Sequence, residues 1–394
     1  MRKPEILKGS NIASLGIAIY FPFFFFYNWI IASEIISPLP IGYFSLLVPV
    51  ILLLYALNWA LYRNEFLRYD VVALLFLFQQ LSMMFISVFK YYGSTALGEY
   101  STDMLIWVFS GCLLNLGLFY IGRSLSTPQS KLWFISLLCI FFVSIYNVGV
   151  SNVFHIDTHS ALSGKVASYQ SMGSSIMITG IMLFAFSKSY ISYLIFFLSL
   201  VSLFINGART ELFLYFIGVL TCLFVRSERK TNGIISVFLL LFVSISIGVA
   251  YYVSNPTSRI FEFIVENTSS SGSARYEMFI YSVDVIFSDV CKLLIGDYGS
   301  YYLVNGPGSY PHNLFSAWHN FGIMGFFSYV LILLLCLNLC INNSNRKNSF
   351  YVFAVSLLVV VSIAFLISKD NSYMIFGLLV GVLSNRKFKY DGVY

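Results

Sequence analysis

FYVFAVSLLVVVSIAFLIS, residues 350–368, holds nineteen residues without one charged side chain. Crossing a bilayer takes about 20 apolar residues in a helix. Only helices or closed barrels satisfy their own backbone hydrogen bonds in lipid. The run is continuously apolar rather than alternating, which selects a helix over a barrel strand. Reading outward gives twelve such stretches: 12–32, 41–61, 69–89, 104–122, 132–150, 169–187, 190–206, 211–225, 234–253, 319–341, 350–368 and 373–384. The last is short, and the seventh and eighth are parted only by Asn-Gly-Ala-Arg-Thr-Glu at 206–211. The whole chain agrees: of 394 residues 58% are hydrophobic and 10% charged, with a mean hydropathy of +0.81. Soluble domains carry about 25% charged residues. The expectation is an all-α, polytopic integral membrane protein of about twelve transmembrane helices, forming one membrane domain over 1–394.

The first run follows Met-Arg-Lys but is too long for a signal peptide and ends without a small-residue cleavage site, so it reads as a retained span. With the N-terminus inside, 16 of the 23 basic residues fall on inward segments. The other seven are Lys90, Lys165, Arg209, Arg259, Arg275, Lys292 and Lys369. That bias puts both termini in the cytoplasm and residues 254–318 on the outer face. The net charge of +6 therefore reports orientation, not nucleic acid. Five of six cysteines lie in apolar spans and Cys291 stands alone in the loop, so no disulfide is expected there. No repeat relates the two halves, which weakens a transporter reading.

Residues 254–318 form the one long polar interval, and the chemistry is expected there. Ser-Ser-Ser-Gly-Ser at 269–273 precedes an amphipathic helix over 274–290, in which Tyr276, Phe279, Ile280, Val283 and Phe287 recur at helical spacing. Such a helix lies on the membrane surface. Arg275 opens it, where free backbone N–H groups attract anions and a guanidinium fork matches phosphate oxygens. Arg209 stands at the outer end of the seventh span, with Glu211 as its nearest counter-charge. Ionisable residues at that depth mark function, although an Arg snorkelling to headgroups reads equally well. His312, in Pro-His-Asn, is the candidate proton carrier. His319 reads better as a residue at the interfacial start of the tenth span.

Other patterns exclude more than they assign. His155-Ile-Asp157-Thr-His159 could hold a metal but lies in a loop without fixed context. There is no P-loop, no Asp-x-Asp pair, no dinucleotide fingerprint and no zinc-like cysteine spacing, so no cofactor and no metal are expected. Gly377-Leu-Leu-Val-Gly381 reads as helix packing.

Five short motifs fall in a fixed order: Gly-Ala-Arg-Thr at 207–210, Ser-Gly-Ser-Ala-Arg at 271–275, Leu-Ile-Gly-Asp-Tyr-Gly at 294–299, Pro-His-Asn at 311–313, and Trp-His-Asn-Phe-Gly-Ile-Met-Gly at 318–325. In order and spacing, and in the single late periplasmic loop, the chain resembles the Wzy-type O-antigen polymerases and the related O-antigen ligases. The resemblance implies an inner-membrane glycosyltransferase that needs no metal. It would move the growing polysaccharide, with inversion, from undecaprenyl diphosphate onto the next lipid-linked repeat unit. Arg209 and Arg275 would hold the diphosphate and stabilise the leaving group. His312 would act as base, with Glu277, Asp297, Asn313 and His319 as secondary candidates. Tyr298, Tyr301, Tyr302, Tyr310 and Trp318 could stack on sugars or form an interfacial belt. Implied partners are lipid-linked repeat units, membrane lipids, and a chain-length regulator and flippase of the same pathway. The rival readings are the ligase, which passes finished polymer to lipid A core, and more remotely a lipid-linked oligosaccharide flippase or a structural export partner.

Overall fold

Gly377 and Gly381 have no side chains because another backbone occupies the space. A Cβ on Gly377 would lie 2.2 Å from the Asn115 carbonyl oxygen, and one on Gly381 2.1 Å from that of Phe119. This is a close backbone-to-backbone helix crossing in the computed structural model of the chain. The structure describes residues 9–33, 35–36, 76, 78–79, 82, 85, 101–125, 130–150, 169–187, 189–227, 230–254, 270–298, 300–301, 311–342, 348–371, 373–385 and 388. Among them every regular element is helical.

In chain order the helices are α1 (Gly9–Ala32), α2 (Ser101–Ser124), α3 (Ser130–Val150), α4 (Tyr169–Phe186), α5 (Ser189–Asn206), α6 (Arg209–Arg226), α7 (Lys230–Ser254), α8 (Ser270–Ser288), α9 (Val290–Ile295), α10 (Phe315–Asn342), α11 (Ser349–Ile367) and α12 (Ile375–Leu383). Ten of the twelve apolar stretches thus coincide with a described helix. The stretches 41–61 and 69–89 lie outside the described residues, apart from five helical positions between 76 and 85. Among the described residues two helices are long and apolar enough to cross a membrane, α10 and α11. At 1.5 Å per residue, the 19 residues of α11 reach about 28 Å.

Local chemistry sets the helix ends. Asn348 Oδ1 accepts from Phe350 N at 2.8 Å to start α11, and Asp289 accepts from Cys291 N to start α9. Hydroxyls inside apolar helices turn back on their own backbone, as Ser144 does to Ile140 O at 2.8 Å and Ser202 to Leu198 O at 2.9 Å.

The core is α4, α5, α6 and α11. Gly180 of α4 faces Ser199 and Tyr215, and Gly218 of α6 faces Ile181 and Val360. Ser356 donates to Gly218 O at 2.8 Å, tying α11 to α6. Pairings 174 with 211 and 185 with 226 run α4 and α6 parallel, while α11 runs against both. One end of this core therefore collects residues 173–174, 206–211, 368–371 and 373. The other collects Phe186, Arg226 and Phe350, where the Arg226 guanidinium donates to Ala185 O. α12 runs parallel to α2, closed by Asn385 Nδ2 donating to Gly122 O and Leu125 O. Around this packed centre α10 presents Phe327, Leu331, Leu334 and Ile341 outward. An apolar band of that extent marks a lipid or protein contact.

The surface helix expected over 274–290 is α8, but the side it packs is not the apolar set read from the sequence. Ser282 and Ile286 are buried, with Phe279 half-buried, whereas Tyr276, Ile280 and Phe287 are exposed. Helical spacing identified the helix. The buried side was chosen by a polar tie to His319, which hydropathy does not register.

Candidate functional site

The turn Asn206-Gly207-Ala208 is shaped by what packs behind it. Gly207 takes a positive φ of 71°, open to glycine at no steric cost. Ala208 is fully buried, and a Cβ on Gly173 of α4 would lie 2.6 Å from the Ala208 Cβ and 3.0 Å from Asn206 Oδ1. Only small residues permit α4 to meet the turn this closely. The turn sets half-buried Arg209 at the first position of α6 and sends Glu211, 1% exposed, inward.

The sequence offers Arg209 as the counter-charge of Glu211; the structure gives Glu211 a different cation. Lys369, just beyond α11, places Nζ 2.5 Å from Glu211 Oε1. Ser174 Oγ donates to the same oxygen at 3.5 Å. The Lys369 ammonium also lies 5.9 Å from the centre of the Tyr373 ring. Beside the pair, both amide atoms of Asn206 and the Tyr373 hydroxyl are buried without hydrogen-bond partners among the described residues.

His312 joins the same end of the bundle. Its Nδ1 lies 3.3 Å from Ser368 O, the carbonyl next to Lys369. A carbonyl only accepts, so Nδ1 carries the proton and the Nε2 lone pair is the basic one. Burial, then the charge of Arg275 on α8 and that of Lys369, pull the imidazole down to about 4. At neutral pH it is uncharged. Arg275 itself is half-buried, and Glu277, two residues on, is exposed. The structure thus gathers Arg275, His312, Lys369 and Glu211, with Arg209 two residues from Glu211.

The secondary candidates Asp297, Asn313 and His319 serve the architecture. Asn313 Oδ1 accepts from Phe315 N at 3.0 Å and caps α10. His319 is 1% exposed; its Nδ1 lies 3.3 Å from Ser282 Oγ and its Nε2 2.7 Å from Ser300 Oγ. Ser300 Oγ also lies 3.0 Å from Asp297 O. Asp297, also 1% exposed, pairs with Lys292 Nζ at 3.2 Å, and its N–H donates to His319 O at 2.6 Å. Tyr301 lies edge-on to the His319 ring at 4.5 Å. This knot binds α8 and α9 to the start of α10. His319 is therefore a buried fastener rather than the interfacial residue that the sequence suggests.

Two motifs owe their glycines to this contact. Gly296 (φ 90°) and Gly322 (φ 69°) meet with backbones nearly touching: a Cβ on Gly296 would lie 2.6 Å from Gly322 N. At Gly322 the long helix α10 breaks its regular geometry.

Lys369 is the participant that sequence reading does not single out. It stands in the short Ser-Lys-Asp-Asn connection and counts there only as one of seven outward cations. Asn206 and Ser174 carry no mark at all. His155, Asp157, His159, Arg259, Tyr302, Gly306, Gly308 and Tyr310 lie outside the described residues. Among the described residues no three His, Cys, Asp or Glu side chains come together. No protein-family model and no curated protein matches the chain.

Proposed function

We propose that the chain is a polytopic inner-membrane polysaccharide polymerase of the Wzy type, with about twelve spans and its site on the periplasmic face. The observation that carries the reading is His312 seated on the Ser368 carbonyl, within the electrostatic reach of Arg275 and Lys369, at the end of the bundle where Arg209 starts α6. The inward cations Arg226 and Arg123 stand at the opposite end, beside Phe186 and Asn385. That polarity is what a charge-biased membrane protein requires.

The reaction would proceed as follows. The donor is a growing chain on undecaprenyl diphosphate, the acceptor a hydroxyl at the nonreducing end of the next lipid-linked repeat. The bond from the anomeric carbon to the diphosphate oxygen breaks, and the electron pair leaves with the diphosphate. Arg209 and Arg275 meet that charge as it develops, and as guanidinium forks they hold phosphate oxygens in pairs. The acceptor oxygen attacks from the opposite face while His312 Nε2 takes its proton. A base with a value of about 4 is weak in the resting protein. Part of that weakness comes from Arg275 and Lys369, and a bound diphosphate neutralises their effect, so substrate itself strengthens the base.

The test is a surface-polysaccharide gel from a strain lacking the gene. Core carrying a single repeat, with the ladder restored by the intact gene, is the expected result. Bare core with long polymer left on the lipid carrier would make the protein a ligase. An unchanged ladder would sink both. Among the described residues the buried Glu211–Lys369 pair is the feature that favours transport; it lies at helix ends.

A further inference from the structure

We infer that Glu211 and Lys369 are positioning residues for His312: their ion pair pins the Ser368–Lys369 peptide so that its carbonyl takes the Nδ1 proton and leaves Nε2 as the accepting nitrogen. The inference rests on the role proposed for His312.

The peptide is held from every side. Ser368 N and Lys369 N both donate to Ala364 O, at 2.9 and 2.8 Å, closing the end of α11. Leu314 N donates to Phe365 O at 2.8 Å, which staples the His312 segment onto the same helix end. Lys369 ties this connection to a further helix by reaching 2.5 Å to Glu211 on α6. Glu211 is itself fixed by Ser174 and by the approach of Gly173. On the far side, Asn371 N donates to Ser316 Oγ at 2.8 Å and Asn320 Nδ2 to Asn371 Oδ1 at 2.9 Å.

Simple adhesion does not account for the pair. Two charges taken from water gain little net stability over apolar side chains of the same volume. An apolar pair could join α6 to α11 equally well, but it could not direct a carbonyl or tune the potential at an imidazole. Among the described residues, the charges acting on His312 include Arg275 from α8 and Lys369 from the end of α11. Behind Lys369 stands Glu211, with Arg209 two residues before Glu211 in the chain and Asp370 next to Lys369.

The decisive measurement uses the full chain in detergent micelles, with 15N-labelled histidine and the His312 signal assigned by its loss in His312→Ala. Nitrogen shifts distinguish the two tautomers directly. The intact protein should show His312 as the Nδ1–H form. Lys369→Met leaves a carboxylate behind and should raise the His312 midpoint; Glu211→Gln leaves an ammonium and should lower it. The two should end about one pH unit or more apart. If either single variant fails to fold, Glu211→Gln/Lys369→Met removes both charges together and should show mixed tautomers. A pure Nδ1–H form in the double variant, or unmoved midpoints in folded single variants, would overturn the inference. Normal polymer from His312→Ala would remove the proposed base and leave this measurement untouched.

Discussion

A Cβ placed on Gly322 would sit 2.1 Å from the carbonyl oxygen of Leu294, so α9 and the break in α10 meet backbone to backbone. Gly322 also holds φ 69° and ψ −173°, a region essentially reserved for glycine. Gly322→Ala should cost about 1–3 kcal/mol in strain alone, with the clash added. Thermal unfolding in detergent would show it; an unchanged midpoint would mean the two segments are not in contact.

Truncating one member of the buried ion pair strands the other charge. Glu211→Ala and Lys369→Ala should each destabilise by about 3–5 kcal/mol. Glu211→Leu/Lys369→Met, which removes both charges, should cost much less than the sum. A double variant as unstable as the sum of the singles would show that the residues do not interact.

Tyr373 offers a cleaner separation of stability from function. Its hydroxyl is buried without a partner among the described residues, so Tyr373→Phe should leave stability level or slightly higher. Loss of polymer in that variant, with stability intact, would place the hydroxyl on substrate.

Acid should act through His312. Its folded value lies at about 4 against an ordinary 6.5, so the unfolded chain binds the proton first as pH falls. The stability this group contributes is fully present above 6.5 and is lost on the way down to 4. Replacing it by Asn should flatten the fall of the melting temperature across that window. An identical slope in both proteins would exclude His312 as the source.

Cys291 tests the orientation. It is exposed on α9, and with the other exposed thiol, Cys139 of α3, changed to Ser it is the accessible one, since Cys112, Cys222, Cys336 and Cys340 are buried. A membrane-impermeant maleimide should label Cys291 from the periplasmic side of intact cells once the outer membrane is permeabilised. Labelling only after the inner membrane is broken would invert the proposed topology.

The helices were legible because their cause is local. The run 350–368 reads as one helix, and α11 spans Ser349–Ile367. The packing role of Gly377 and Gly381 was legible too, since a small-residue spacing has few other uses. The site was legible only by residue type. Arg275 and His312 stand out as polar groups in a polar loop, but a carboxylate at 211 meeting a lysine 158 residues later leaves no periodic trace. His319 shows the converse. A histidine at a helix start invites a surface reading, and only the serines at 282 and 300, distant in sequence, reveal why it is buried.

The centre is drawn from Ser174, Asn206, Glu211, Arg275, His312, Lys369 and Tyr373, and a ribosome delivers these in that order. Arg275 emerges long before the lysine that completes the cluster. Until then the Glu211 carboxylate has no Lys369 to meet, and the α2 surface that receives α12 stays uncovered. A nascent or prematurely terminated chain would therefore carry Arg275 and His312 without the assembled centre. Arrival of the last two helices is then the step that completes the cluster.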